Sequence, residues 1–552
     1  MKNYLLVTLL VTNISHSVDE SFNEESFITK ISNVVTDIIG STIWNFDSLF
    51  LFDSSPIDRL GEAVSHGDYN GDGFADLAIG IPNYDPLTIS GIFNNTGTVL
   101  VIYGSPNGLS SLSSTDYQLL FQTFETDPPN LENLNGAETN DFFGKSLASG
   151  DFNCDGITDL AVGTPDESVT IDGEFRNAVG AVNIFYGQVG GFNFSGQGST
   201  FLFQHSESLG NFIEANDRFG WSMAAGNFNG DTFNGNSCDD LAVSAPFEDL
   251  GSSDNVGYVK IFYGKDQGLS QSDTQLVNQS NDGLPETVQE SHDQFGYSLA
   301  AGHLTLFGGI GVFDLVVGIP GENIDGEAGA GAIQVFKGST AGLDQGAPSD
   351  VWSQSGAIIG VVEEGDGFGF SVTVGNFNGD FLDDVAIGVP YEDINTSGID
   401  DAGFVNIIYS GQLGLETDGN QAFHQDTVGI DGDAENADRF GDTLTIGDLN
   451  GDSIDDLVIG VPKENNKKGA FHILFGSSDG ITTDASIFEK NLGDGEDFDE
   501  MGYAMTIADF GNGNELAVGI PGDDSNSGFI DAGSVEVFEF SQLDLIFANS
   551  FE

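Results

Sequence analysis

The chain runs to 552 residues and carries 87 acidic against 14 basic side chains, a formal charge of −73. A field of that sign repels nucleic acid and anionic membrane surfaces, so neither is expected as a partner. With 45 Phe and 39% apolar residues the chain can build a core, and 76 Gly, about twice the ordinary share, point to many turns.

At the N-terminus Met1-Lys2, the apolar run from Tyr4 to Val11 and Ser15-His16-Ser17 form the three-part pattern of a secretory signal, read as residues 1–17. That run is too short to cross a bilayer, and no later stretch is long and apolar enough, so no membrane span is expected. Residues 18–40 are read as an N-terminal segment, 41–540 as a repeat region and 541–552 as a C-terminal tail. A secreted, extracellular or cell-surface protein is the expectation.

Self-similarity dominates the repeat region. Each unit opens on an apolar residue and glycine: Leu60-Gly61, Phe143-Gly144, Phe219-Gly220, Phe295-Gly296, Phe368-Gly369, Phe440-Gly441 and Met501-Gly502, spaced 61 to 83 residues apart. Each continues to an apolar run ending in Gly-x-Pro or a relative, from Gly80-Ile81-Pro82 to Gly519-Ile520-Pro521, with Ser244-Ala245-Pro246 as the variant. A third run such as Val405 to Tyr409 and a fourth such as Phe201-Leu202-Phe203 complete the unit. Four short strands per unit, punctuated by Gly, Asn, Asp and Pro, predict an all-β, seven-bladed β-propeller of four-stranded blades. In the first strand alternate positions are small, as in Gly296-Ser298-Ala300, and such a face lets the next blade approach closely. Ser41-Thr42-Ile43-Trp44 resembles the fourth-strand runs, so a segment within about residues 41–54 is expected to close the last blade and remove an exposed edge.

Between the first and second strands lies a loop rich in oxygen side chains. Blade 1 has Asp68, Asn70, Asp72 and Asp76, with Phe74 supplying a carbonyl. Blade 2 has Asp151, Asn153, Asp155, Ile157 and Asp159 at the same spacing. Blade 5 has Asn376, Asn378, Asp380, Leu382 and Asp384, and blade 6 has Asp448, Asn450, Asp452, Ile454 and Asp456. Side-chain oxygens at positions 1, 3, 5 and 9 with a carbonyl at position 7 suit a hard cation, and Ca²⁺ above zinc or copper. Blade 3 keeps Asn227, Asn229 and Asp231 but inserts residues before Asp240. Blades 4 and 7 have lost the pattern, so about four to five calcium sites are expected. A single such loop is equally well an Asx-rich turn; four copies at one place in a repeat argue for metal. The two cysteines, Cys154 and Cys238, fall in equivalent loops of neighbouring repeats, and in an exported chain are either a disulfide or two free thiols.

The Phe-Gly opening, the acidic loop and the Gly-x-Pro close resemble the FG-GAP repeats of the integrin α-subunit N-terminal β-propeller, over roughly residues 41–540. The resemblance implies calcium loops on a lower face. It also implies an extracellular protein or glycan ligand on the upper face, at loops such as 166–179, 247–256, 391–402 and 429–438.

Enzyme signals are weak. Gly220-Trp221-Ser222-Met223-Ala224 looks like a nucleophile elbow, and Gly144-Lys145-Ser146 like the end of a phosphate loop, yet both are copies of the repeated first strand. No histidines show zinc spacing. The expectation is therefore an adhesion or binding module and not an enzyme. The alternative is an extracellular hydrolase with carboxylates in the propeller channel.

Overall fold

The computed structural model describes residues 41–45 and most of 58–540, leaving out short stretches of which 123–130, 205–212, 280–289 and 491–497 are among the longest. The signal segment 1–17, the segment 18–40 and the tail 541–552 lie outside the described residues.

Seven four-stranded antiparallel sheets form the repeat region. In blade 2 the order from the channel outward is Ser146–Gly150, Asp159–Thr164, Ala181–Phe185 and Ser199–Phe203. The second strand of every blade, such as Asp384–Val389 or Asp456–Val461, is buried along its length or nearly so, because a sheet inside a propeller is covered on both faces. Seven clusters of buried apolar side chains lie between neighbouring sheets, one per junction among the described residues. One of them joins Leu77, Ile79 and Leu100 of the first blade to Ala517, Val535 and Val537 of the last. Helix is almost absent, a single turn at Glu464–Lys467 among the described residues. The outermost strand of the seventh sheet is Ser41–Asn45, antiparallel to Ser534–Glu539 with Ser41 opposite Phe538 and Asn45 opposite Ser534.

The repeated sequence marks are the contacts between blades. The amide of Gly441 in the Phe-Gly pair donates to the Gly460 carbonyl of its own Gly-x-Pro, at 3.2 Å. The carbonyl of that same Gly441 faces the preceding blade, where a Cβ on Gly388 would sit 2.1 Å from it. The same clash recurs at the ring closure, where a Cβ on Gly519 would lie 2.0 Å from the carbonyl of Gly61. Gly-x-Pro therefore keeps its glycine because backbone meets backbone there. The small first-strand residues seal the contact: Ser146, Ser298, Ser371 and Thr443 each donate a hydroxyl to the next blade's Phe-Gly carbonyl at 2.6–2.8 Å.

The third strands begin and end one residue earlier than the apolar runs, at Thr98–Ile102 and Phe404–Ile408. In blades 1, 2, 3 and 5 a tyrosine closes the run, leaves the strand and turns its hydroxyl to the fourth strand, as Tyr103 to Gln118 at 2.6 Å and Tyr186 to Thr200 at 3.1 Å.

Candidate functional site

The oxygen-rich loops sit at one end of the channel and are organised alike. Asp68 accepts the amides of Asp72 and Gly73, Asp151 those of Asp155 and Gly156, and Asp448 those of Asp452 and Ser453, at 2.8–3.0 Å. The position-3 asparagines accept the position-5 amide at 2.9 Å in blades 2, 3, 5 and 6. The position-5 aspartates Asp72, Asp155, Asp380 and Asp452 accept the amides of Phe74, Ile157, Leu382 and Ile454. This nest folds the chain so that side-chain oxygens converge.

Position 9 is also tied to the backbone. Asp76, Asp159, Asp240, Asp384 and Asp456 are fully buried, and each uses both oxygens on backbone amides. One oxygen accepts the amide of position 2, as Tyr69 or Leu449. The other accepts the amide just past the third strand, as Gly104, Gly187, Gly264, Ser410 or Gly476. These aspartates pin the loop to the blade behind it. Burial pushes Asp76 and Asp240 up to about 8 and Asp384 and Asp456 up to about 7.

The donor set fits a hard cation. Among the described residues the buried carboxamide oxygens of Asn70, Asn227 and Asn376 and one carboxylate oxygen of Asp231 have no hydrogen-bond partner, at positions 1, 3 or 5 of their loops. Among the described residues no three acidic, His or Cys side chains converge as a metal cluster by themselves, which accords with the position-9 carboxylates facing backbone amides. In blade 3 the inserted residues form a small hairpin, Thr232–Phe233 with Asn236–Ser237, and Asn227 donates to Asp231 and Ser237. Next to it Cys154 and Cys238 form a disulfide with Cα atoms 4.7 Å apart, tying the loop of blade 2 to that of blade 3.

At the opposite end, the junctions between blades hold buried acid groups in a repeated arrangement. Glu167, Glu248, Glu322, Glu392 and Glu464, two residues beyond the proline of Gly-x-Pro or its variant, are at most 4% exposed. Gln122, Gln204, Gln279 and Gln425 donate to four of them. Beside them stand Asp141, Asp217, Asp293, Asp366 and Asp438, two residues before the Phe of Phe-Gly. Burial and then the neighbouring Asp push Glu392 up to about 8; burial raises Asp293 and Asp366 to about 7.

The channel mouth on this same side is built by the residue after each Phe-Gly glycine. In blade order these are Glu62, Lys145, Trp221, Tyr297, Phe370, Asp442 and Tyr503, all charged or aromatic. Arg59 bridges Glu62 at 2.8 Å and Glu500 at 3.0 Å, Lys463 reaches Glu500 at 2.6 Å, and Lys145 pairs with Glu62. Arg59 and Lys463 also cover the Tyr503 ring. Across the mouth runs an aromatic arc: Trp221 to Tyr297 at 5.6 Å, Tyr297 to Phe370 at 4.9 Å, Phe370 to Tyr391 at 5.6 Å. Arg439 lies 4.6 Å over Tyr391.

Three carboxylates share this mouth and are set apart. Burial would raise Glu62 and Glu500, but Lys145 and Arg59 around the first, and Lys463 and Arg59 around the second, hold both below the usual range. Burial pushes Asp442 up to about 6 against Lys463 and Arg439. Its Oδ1 is buried with no hydrogen-bond partner among the described residues. Sequence reasoning passed over these groups because Lys145 and Trp221 lie in the repeated first strand. The visible signal was that no residue after Phe-Gly is small or aliphatic. Further out, loops 391–402 and 429–438 border an open cavity of about 550 Å³ lined by Ile394, Gln425, Asp426, Val428 and Asp433.

Known proteins resemble this chain along the same division. The FG-GAP repeat pattern matches residues 60–102, 143–183, 368–407 and 440–474, the blades whose oxygen-rich loops are unbroken. The human phosphatidylinositol-glycan-specific phospholipase D is 31% identical over 316 residues, covering 52% of this chain and 33% of that protein. The Bos taurus protein of the same name is 32% identical over 250 residues, covering 45% and 25%. Integrin alpha-3 of Cricetulus griseus is 34% identical over 184 residues, covering 33% and 15%. The chain thus spans a third or less of the length of these relatives. The phospholipases, named as enzymes, overturn the expectation that the chain is not an enzyme. Among the described residues no helix is long and apolar enough to cross a membrane.

Proposed function

We propose that this chain, which carries FG-GAP repeats on a seven-bladed propeller, acts outside the cell in phosphoester hydrolysis and engages its substrate at the channel mouth. The observation that carries this reading is the cluster at the mouth, Arg59 bridging Glu62 and Glu500, Lys145 on Glu62 and Lys463 on Glu500, with Asp442, pushed up to about 6 by burial, near Glu500. Separated carboxylates of this kind divide acid and base work near neutral pH. Similarity to the phosphatidylinositol-glycan-specific phospholipases supports the reaction class. Asp442, part protonated near neutrality, would hand its proton to the departing oxygen as the P–O ester bond breaks. Water would supply the oxygen that bonds to phosphorus and the proton that restores the carboxyl. Arg59, Lys145 and Lys463 would hold the phosphate. Calcium at Asp68, Asn70 and Asp72 and their counterparts would stiffen the far end of the channel, and the disulfide supports an oxidising, extracellular setting.

The test uses the full chain with calcium and vesicles bearing a phosphatidylinositol-glycan-anchored reporter. Release of the reporter is expected, with Asp442→Asn slower by about 10²–10⁴-fold. A folded chain that releases nothing between pH 5 and 8 overturns the reading. The second reading, an adhesion or protein-binding module, rests on the integrin relatives and on the cavity bordered by loops 391–402 and 429–438.

A further inference from the structure

Of the 14 Lys and Arg in this chain of charge −73, five, Arg59, Lys145, Arg218, Arg439 and Lys463, gather around the channel mouth. Four of them, Arg59, Lys145, Lys463 and Arg439, meet the carboxylates Glu62, Glu500 and Asp442, with Asp531 and Asp401 also near Arg59 and Arg439. This cluster of cations stands out in a chain whose overall charge repels anions. Arg59, Lys145 and Lys463 gather at Glu62, Glu500 and Tyr503, while Arg218 and Arg439 lie over Trp221 and Tyr391 at the two ends of the aromatic arc. The innermost first strands of neighbouring blades pack against one another around the ring, which sets the residues that follow each Phe-Gly glycine, cations and aromatics alike, around one space.

We propose that the mouth is a binding site for a phosphate-bearing sugar ring, its phosphate on Arg59, Lys145 and Lys463 and its ring against Trp221, Tyr297 and Phe370. A phosphate has three terminal oxygens, and three cations carried by different blades can answer them, each keeping N–H donors beyond those given to Glu62 and Glu500. Half-buried aromatic rings 5–6 Å apart offer an amphipathic face to the C–H side of a cyclic polyol, which an inorganic anion cannot use. The carboxyl of Asp442, whose Oδ1 is buried and has no hydrogen-bond partner among the described residues, lies near Lys463, Arg439 and Glu500 at this mouth and offers a polar contact to the bound ring. The site deepens the hydrolytic reading, but binding and turnover are measured apart.

The experiment is calorimetry and tryptophan fluorescence on the full, calcium-loaded chain, titrated with myo-inositol 1-phosphate, myo-inositol, inorganic phosphate and vesicles containing phosphatidylinositol. Saturable binding of the sugar phosphate is expected, tighter than either half alone. Trp221→Ala should weaken the sugar phosphate about 3–10-fold and leave inorganic phosphate unchanged. The paired change Lys145→Met with Glu62→Gln, which avoids stranding a buried charge, should weaken both. Equal affinity for inositol and its phosphate overturns the proposal, as does indifference to Trp221→Ala. Binding to vesicles without binding of the soluble sugar phosphate overturns it too, since the lipid and not the sugar is then recognised. Sugar-phosphate binding without reporter release leaves this site standing and removes the hydrolytic reading; release without such binding does the reverse.

Discussion

Ser298 shows how much one hydroxyl does in this fold. It stands on the small face of a first strand and donates to the Gly369 carbonyl of the next blade at 2.8 Å, with the glycine of Gly-x-Pro packed alongside. A larger side chain has no room there, since even a Cβ on Gly318 would lie 2.1 Å from that Ser298 hydroxyl oxygen. Ser298→Leu is expected to cost about 1–3 kcal/mol from overpacking. Ser298→Ala, losing only the hydrogen bond, should cost about 0.5–1.5 kcal/mol. Urea unfolding monitored by far-ultraviolet dichroism checks the order, and equal stability of Ser298→Leu and wild type would refute close contact between blades 4 and 5. The sequence made the small stripe legible through its repetition; the hydroxyl's acceptor, on another blade, was not legible.

Among elements, the loop between first and second strands is the one most dependent on conditions. Its position-9 aspartate pins it by backbone hydrogen bonds, while positions 1, 3 and 5 hold the unpartnered side-chain oxygens, buried within the loop. Chelation should therefore loosen loops without dismantling blades. With extracellular-type affinities of about 10⁻⁴–10⁻³ M, calcium at ~10 mM is worth about 1.4–2.7 kcal/mol per site. Thermal unfolding with and without chelator should show a large fall in midpoint, which Asp68→Ala or Asp448→Ala each reduces by roughly one site's share. A midpoint indifferent to chelator would mean that these loops are Asx turns and nothing more. Spacing made positions 1, 3 and 5 legible. The double use of position 9 was not, because its amide partners, such as Gly104 and Gly476, lie 20 or more residues downstream.

On the scale of the whole molecule, the ring is held by junctions that contain protonatable pairs. At the junction of blades 4 and 5, Glu392 faces Asp366, Glu363 and Gln354 and is pushed up to about 8, with Asp366 at about 7. A carboxyl raised on folding contributes stability that is complete below its unfolded value, about 4.5, and is lost as pH rises through the folded value. Stability is therefore expected to decline from about pH 4.5 to 8 at constant calcium. Glu392→Gln, which keeps the hydrogen-bonding shape without the titration, should flatten part of that decline. Melting temperatures of the two proteins across that range provide the check, and parallel curves would show that this junction does not titrate.

Repetition alone settled the blade count, the order of strands and the places of the loops, because each blade is a local unit whose turns and alternation are written in consecutive residues. Composition alone carries the expectation that nucleic acid is a poor partner. What only the tertiary structure decided lies across blades: the disulfide between Cys154 and Cys238, the acid pairs at the junctions, and the mouth bordered by Glu62, Lys145, Trp221 and Asp442, where Lys145 pairs with Glu62. Those four residues are separated in the chain by up to 380 positions, from 62 to 442. Closing the sheets into a ring brings them to one end of one channel, and their chemistry exists only there.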